Sequence, residues 1–220
     1  MKLYPVFISY PRSGAHWINC VMELYFDRPR LREGRPTFLD SSRKDWMWFH
    51  DHDWDLDVDL NGILYLYRDP VDTIFSLLNH QINSSRNKWF FGNRKKVYQN
   101  FKQHEIDNLC RTYRLNIDKW LAPGRAKTIL SYEKFTKNYT AEFSQICAHF
   151  DQPLDEERCK KAFLTVTKES LIKITGDTPG AGSHMLKEDY AKQRSCFQEQ
   201  WSEHILKACI PKNKESFFTN

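Results

Sequence analysis

One run constrains the fold more than any other. Gly62–Tyr67 reads GILYLY, six residues with no charge among them. A strand with one wet face alternates apolar and polar residues, whereas an uninterrupted apolar run suits a strand covered on both faces, as in parallel sheets. Val6–Tyr10 and Lys127–Tyr132 (KTILSY) are shorter runs of the same kind, and Asp45–Phe49 reads as a short aromatic strand ending in HDHD. Helical periodicity separates them. Trp17, Cys20, Val21 and Leu24 recur at helical spacing, and so do the apolar residues of Val71–His80, Glu105–Leu121, Lys137–Phe150, Asp155–Val166 and Lys187–Cys209. Strands alternating with helices predict an α/β, three-layer sandwich around a central parallel sheet. A length of 220 residues without a linker or repeat suits one such domain, residues 1–220.

The first strand runs directly into Pro11-Arg12-Ser13-Gly14, and a helical pattern follows. A glycine-bearing turn between a strand and a helix N-terminus aims backbone N–H groups and the helix dipole at one point, which suits an anion. A triphosphate-binding loop needs G-x-x-x-x-G-K-[ST]. Here there is a single glycine, the cation Arg12 precedes it, and Ala15-His16 stand where Lys-Ser/Thr is required. A small nucleotide kinase is therefore the weaker reading. Arg12, the Ser13 hydroxyl and the amides of Ser13–Trp17 suit a smaller anionic group.

A second anion site follows GILYLY. Arg68 stands at the carboxyl end of that strand, where doubly wound sheets bind their ligands. Asp69 is placed as an N-cap and Pro70 as the first helical residue. Asp69, Asp72, Thr73 and Ser76 then fall on one polar helix face, so Arg68 and Ser76 can bracket a phosphate. Two anion sites on neighbouring strand ends, with Trp17 between them, describe a nucleotide carrying phosphates on both sides of its ribose.

These stretches resemble the landmarks of the sulfotransferases that use 3′-phosphoadenosine 5′-phosphosulfate (PAPS). YPRSGAHW (Tyr10–Trp17) resembles their 5′-phosphosulfate loop and YRDPVDTIFS (Tyr67–Ser76) their 3′-phosphate motif. SYEKF (Ser131–Phe135) is similar to the strand ending whose Tyr lies near the adenine. The resemblance spans roughly Leu3–Phe150 and implies a P-loop-NTPase-like sulfotransferase fold, with PAPS as donor, PAP as product and no metal required. It implies that Arg12 neutralises the departing 5′-phosphate and that Ser13, Gly14, Ala15 and His16 line the phosphosulfate. It also implies that Trp17 stacks on adenine, Arg68 and Ser76 hold the 3′-phosphate, and Tyr132 edges the base. Many family members have Lys at the place of Arg12 and a Thr pair at Ala15-His16. Arg12 keeps the charge and a planar fork of donors but cannot give up a proton. The family's late basic, glycine-rich segment is echoed loosely by Thr175–His184, with Lys173, His184 and Arg194 as candidate contacts.

Transfer to an acceptor hydroxyl needs a base, and a histidine serves at neutral pH. The resemblance places it just after the strand preceding GILYLY, in FHDHD. His52 is the first candidate and His50 the alternative, since residues two apart on a strand share a face. HDHDWDLDVD reads as an acidic turn, not a metal site. The basic, aromatic stretch Ser84–Lys102 suits a lid over the acceptor, and the expected acceptor is a carbohydrate or a small-molecule alcohol or phenol. A net charge of +5 favours an anionic ligand but is too dispersed for nucleic acid. No run approaches a membrane span and no signal segment is visible, so a cytoplasmic enzyme with six reduced cysteines is expected. The non-enzymatic alternative is a PAP-binding module that has lost catalysis.

Overall fold

The computed structural model describes residues 4–31, 37–40, 42–57, 62–83, 101–124, 126–175 and 190–219. Among the described residues four short strands form one parallel sheet: β1 (Val6–Ser9), β2 (Phe49–Asp51), β3 (Ile63–Tyr67) and β4 (Lys127–Ser131). Their spatial order is β2-β1-β3-β4. Val6 lies opposite Phe49 on one side and Ile63 on the other, and Tyr67 lies opposite Ser131. β3 is buried at all five positions, which accounts for the absence of charge in GILYLY. The chain leaves β1 towards β2 and returns to β3 on the opposite side, so the topological switch point falls between the carboxyl ends of β1 and β3.

The predicted strand at Asp45–Phe49 lies elsewhere: β2 is Phe49–Asp51. The aromatic run before it is drawn to other partners. The Trp48 indole N–H donates to Asn19 Oδ1 at 2.7 Å, and the backbone of Met47 and Trp48 bonds to Pro29 and Leu31. Only from Phe49 onward does the chain pair with β1.

The described chain divides into two compact units, Met1–Arg68 with Pro123–Thr175, and Asp69–Ala122 with Gly176–Asn220. The first holds the sheet, α1 (Ala15–Phe26), α4 (Tyr132–Lys137), α5 (Tyr139–His149), α6 (Glu156–Thr165) and α7 (Lys168–Thr175). Its core joins Phe7, Leu64, Leu66 and Leu130 of the sheet to Ile18, Val21 and Met22 of α1 and Phe143 and Ile146 of α5. Ser131, Asn138 and Asp155 cap α4, α5 and α6 through their side chains. Buried Glu23 of α1 pairs with buried Arg30 at 3.4 Å and accepts from Thr37, which ties both residues to the helix.

The second unit holds α2 (Pro70–Asn83), α3 (Gln103–Trp120), α8 (Tyr190–Cys209) and a 3₁₀ helix at Lys212–Phe217. Asp69 caps α2 as expected, its carboxylate accepting from the Asp72 N–H at 2.9 Å. Thr73 departs from the expected polar face and is fully buried, while on the same helix Phe75 packs on Phe197 of α8. Lys214 is buried too, its ammonium donating to the carbonyls of Ile117 and Asp118 at the end of α3. All six cysteines are free thiols and five are buried. Among the described residues no helix is long and apolar enough to cross a membrane.

Candidate functional site

In a parallel sheet every strand delivers its carboxyl end to the same edge. Here those ends carry the candidate residues: the loop after β1, His52 after β2, Arg68 after β3 and Tyr132 after β4. The loop after β1 is tight. The Ser13 N–H returns to the Tyr10 carbonyl at 3.2 Å, and Arg12 and Gly14 both take left-handed backbone angles, φ 70° and 91°. That conformation is natural for Gly14 and strained for Arg12. Gly14 is also required by space. A Cβ there would stand well inside 3.0 Å of Cδ2 and Cε2 of Tyr132.

Ser13 is fully buried, and its hydroxyl has no hydrogen-bond partner among the described residues. A buried hydroxyl left without a partner costs about 1–3 kcal/mol, so such an atom calls for a ligand or water. It sits immediately before the N-terminus of α1, whose first turn carries no acidic side chain. Ala15 is buried beside it, and His16 is half-buried.

Arg68 reaches back across the switch point. Its Nη1 donates to the Arg12 carbonyl at 3.2 Å, and the guanidinium lies 4.3 Å from the centroid of the Tyr132 ring. Tyr132 meets Trp17 edge to face at 5.8 Å. The Trp17 indole N–H is engaged by the Val166 carbonyl at 3.1 Å, and the ring also packs on Phe135 and Phe163. Trp17 is thus half-buried at the rim of the aromatic core, beside the loop.

The two histidines converge on one residue. His50, inside β2, is 4% exposed, and its Nε2 lies 3.3 Å from Ser9 Oγ. His52, just past the strand, places Nδ1 3.0 Å from the Ser9 carbonyl oxygen and 3.4 Å from Ser9 Oγ. The rings meet edge to face at 4.7 Å. The carbonyl can only accept, so Nδ1 of His52 carries the proton and its basic lone pair is on Nε2. Ser9 has no counterpart in the sequence reading; its only signal there is a hydroxyl at the end of an apolar strand.

Residues 58–217 match the Sulfotransferase domain family. The chain belongs to the sulfotransferase family. The matched segment begins after the loop that follows β1 and after the two histidines, and it includes Arg68, Ser76 and Tyr132. Among solved structures, this sulfotransferase resembles a mouse sulfotransferase, SULT7A1, complexed with PAP, at 14% identity and a TM-score of 0.52, over 93% of this chain and 84% of that one. Retinol dehydratase in complex with retinol and PAP is similar at 14% identity and a TM-score of 0.49, over 94% and 81% of the two chains. The sulfotransferase domain from the curacin biosynthetic pathway follows at 12% and 0.48, over 94% and 97%. No curated protein sequence matches. The mouse enzyme shows that the α/β sulfotransferase fold is shared.

The remaining candidates of this sulfotransferase lie on other elements. Ser76 lies half-buried on α2 in the second unit. In that unit Arg194 grips Asp72 with two 2.7 Å bonds, reinforced by Gln198. Lys173 is exposed on α7. His184, most of the Thr175–His184 stretch and residues 84–100 of the expected lid lie outside the described residues. Among the described residues, no group of three or more His, Cys, Asp or Glu side chains comes together around a common point.

Proposed function

We propose that this sulfotransferase, acting as one catalytic domain over residues 1–220, takes the sulfuryl group from PAPS. It passes that group to a hydroxyl of a carbohydrate or of a small-molecule alcohol or phenol, by in-line displacement. The observation that carries the reading is the Ser13 hydroxyl, buried without a partner in a loop that closes on Gly14 and Tyr132. When bound, PAPS supplies the activated sulfuryl group, and the protein supplies charge, alignment and a base. Ser13 Oγ and the amides of Gly14, Ala15 and His16 donate to the 5′ end. Arg12 offsets the charge that develops there. Arg68 and Ser76 take the 3′-phosphate, and Tyr132 with Trp17 borders the adenine. Arg12 and Arg68 carry the compensating charge, so the reading needs no metal.

His52 is the base of choice. Its Nδ1–H is held by the Ser9 carbonyl, which leaves Nε2 to accept the acceptor's proton, whereas His50 is buried within the sheet. Trp54 supports a ring-bearing acceptor: two residues beyond His52 it is 51% exposed and stands edge-on to Tyr10 at 5.5 Å. The test is transfer of radiolabelled sulfate from PAPS into a panel of sugars, phenols and alcohols in EDTA. His52→Gln is expected to lower kcat by about 10²–10⁴-fold with PAP affinity unchanged. PAP binding with no turnover across the panel indicates instead a module that binds the nucleotide without catalysis.

A further inference from the structure

We propose that Ser9 is a positioning residue that wires the two histidines into one unit, its carbonyl fixing His52 and its hydroxyl fixing His50; its role in turnover rests on the sulfotransfer reading above. The argument is a proton inventory. Ser9 is fully buried, so its hydroxyl proton requires an acceptor. Among the described residues, Ser9 Oγ meets two nitrogens, Nε2 of His50 at 3.3 Å and Nδ1 of His52 at 3.4 Å. Nδ1 of His52 is already protonated, because it lies 3.0 Å from the Ser9 carbonyl oxygen, an atom that can only accept. The hydroxyl proton therefore goes to His50 Nε2, and the oxygen's lone pairs face the His52 N–H. One arrangement satisfies these three contacts: both rings carry their proton on Nδ1, and His50 spends the lone pair of its Nε2 on Ser9.

The consequence reaches the base. A ring bonded through Nδ1 to a fixed backbone carbonyl cannot flip or change tautomer without losing that bond. When His52 takes a proton at Nε2 the ring becomes cationic, and the Ser9 carbonyl and hydroxyl dipoles lie against the charged N–H. His50 need not touch the substrate. Through the hydroxyl and the ring contact at 4.7 Å it braces the Ser9–His52 pair.

Long-range ¹H–¹⁵N spectra of the full chain read the tautomer of each imidazole directly, with His50→Gln and His52→Gln assigning the two signals. Both rings are expected as Nδ1–H in the unaltered protein. Ser9→Ala removes the hydroxyl and keeps the carbonyl, so His52 should stay Nδ1–H while the His50 Nε2 resonance shifts on losing its donor. Ser9→Thr, which keeps the hydroxyl, should restore the His50 signal. With PAPS and an acceptor, Ser9→Ala should lower kcat about tenfold, the scale of a small misplacement of a catalytic group, with KM for PAPS unchanged. An Nε2–H tautomer at His50 in the unaltered protein, or no change at His50 in a folded Ser9→Ala variant, overturns the wiring. An unchanged kcat overturns the positioning role. Failure of the unaltered protein to bind PAP sinks the sulfotransfer reading instead, and the tautomers still decide the wiring.

Discussion

Gly14→Ala is the sharpest probe of the loop, because two separate costs fall on one methyl group. The backbone cost comes from φ 91°, a left-handed angle that costs a residue with a Cβ about 1–2 kcal/mol. The steric cost comes from Tyr132, whose Cδ2 and Cε2 occupy the place the methyl needs. The ring must move, and it holds the Arg68 guanidinium at 4.3 Å and the Trp17 edge at 5.8 Å. Loosening a part-exposed cation–π contact costs about 0.5–1 kcal/mol, and an aromatic edge contact adds a similar amount. The sum is about 2–4 kcal/mol, read as a lower urea midpoint with an unchanged slope. A double-mutant cycle separates the two costs. With Tyr132→Ala already in place the collision is gone, and Gly14→Ala should cost only the backbone part, leaving a coupling of about 1–2 kcal/mol. A cost below about 0.5 kcal/mol, or an equal cost in both backgrounds, would refute the close approach of Tyr132 to the loop.

Three further outcomes are open to measurement. Arg30→Ala leaves buried Glu23 without its charge partner and should lower unfolding free energy by about 3–5 kcal/mol, measured by urea titration at neutral pH. Burial raises the Glu23 carboxyl above its usual value, against the opposing pull of Arg30 and Thr37. A raised folded pKa means that the proton is held more tightly in the folded chain. The Glu23 contribution is therefore complete below the unfolded value near 4.5 and is lost as pH rises through the folded one. Unfolding at a series of pH values should show the unaltered chain losing stability with rising pH relative to Glu23→Gln. Lys214→Met removes the buried ammonium that binds the last carbonyls of α3 and the Asp118 carboxylate, and should lower the unfolding free energy by about 2–3 kcal/mol, measured by urea titration.

What was legible in the sequence was local. The charge-free GILYLY run, the Asp69-Pro70 start of α2 and the Ser13-Gly14 turn each carry their own short-range signal, and each forms where expected. What was illegible depends on pairing between distant segments. The parallel register sets Phe7 opposite His50 and Ile8 opposite Asp51, which brings Ser9 level with His52; nothing near Ser9 in the chain announces it. Arg68 meets Tyr132 because Tyr67 and Ser131 pair across β3 and β4. The aromatic run at Asp45–Phe49 has strand propensity, but the Asn19 side-chain Oδ1 accepts from the Trp48 indole and the strand forms only from Phe49 onward. α7 rests on reciprocal capping between Thr167 and Ser170, a pattern easily passed over when the usual glutamate is replaced by serine. Thr73 belongs to the polar side of a helical wheel, yet it is fully buried.

The most direct measurement is a calorimetric titration of PAP into the full chain with EDTA present, repeated with Arg12→Ala and Arg68→Ala. Saturable one-to-one binding is expected, weakened by about 1.5–3 kcal/mol in each variant, as fits the loss of a charged hydrogen-bonding contact. Binding that vanishes with EDTA, or that neither substitution weakens, would show that the loop after β1 and the end of β3 do not hold this nucleotide.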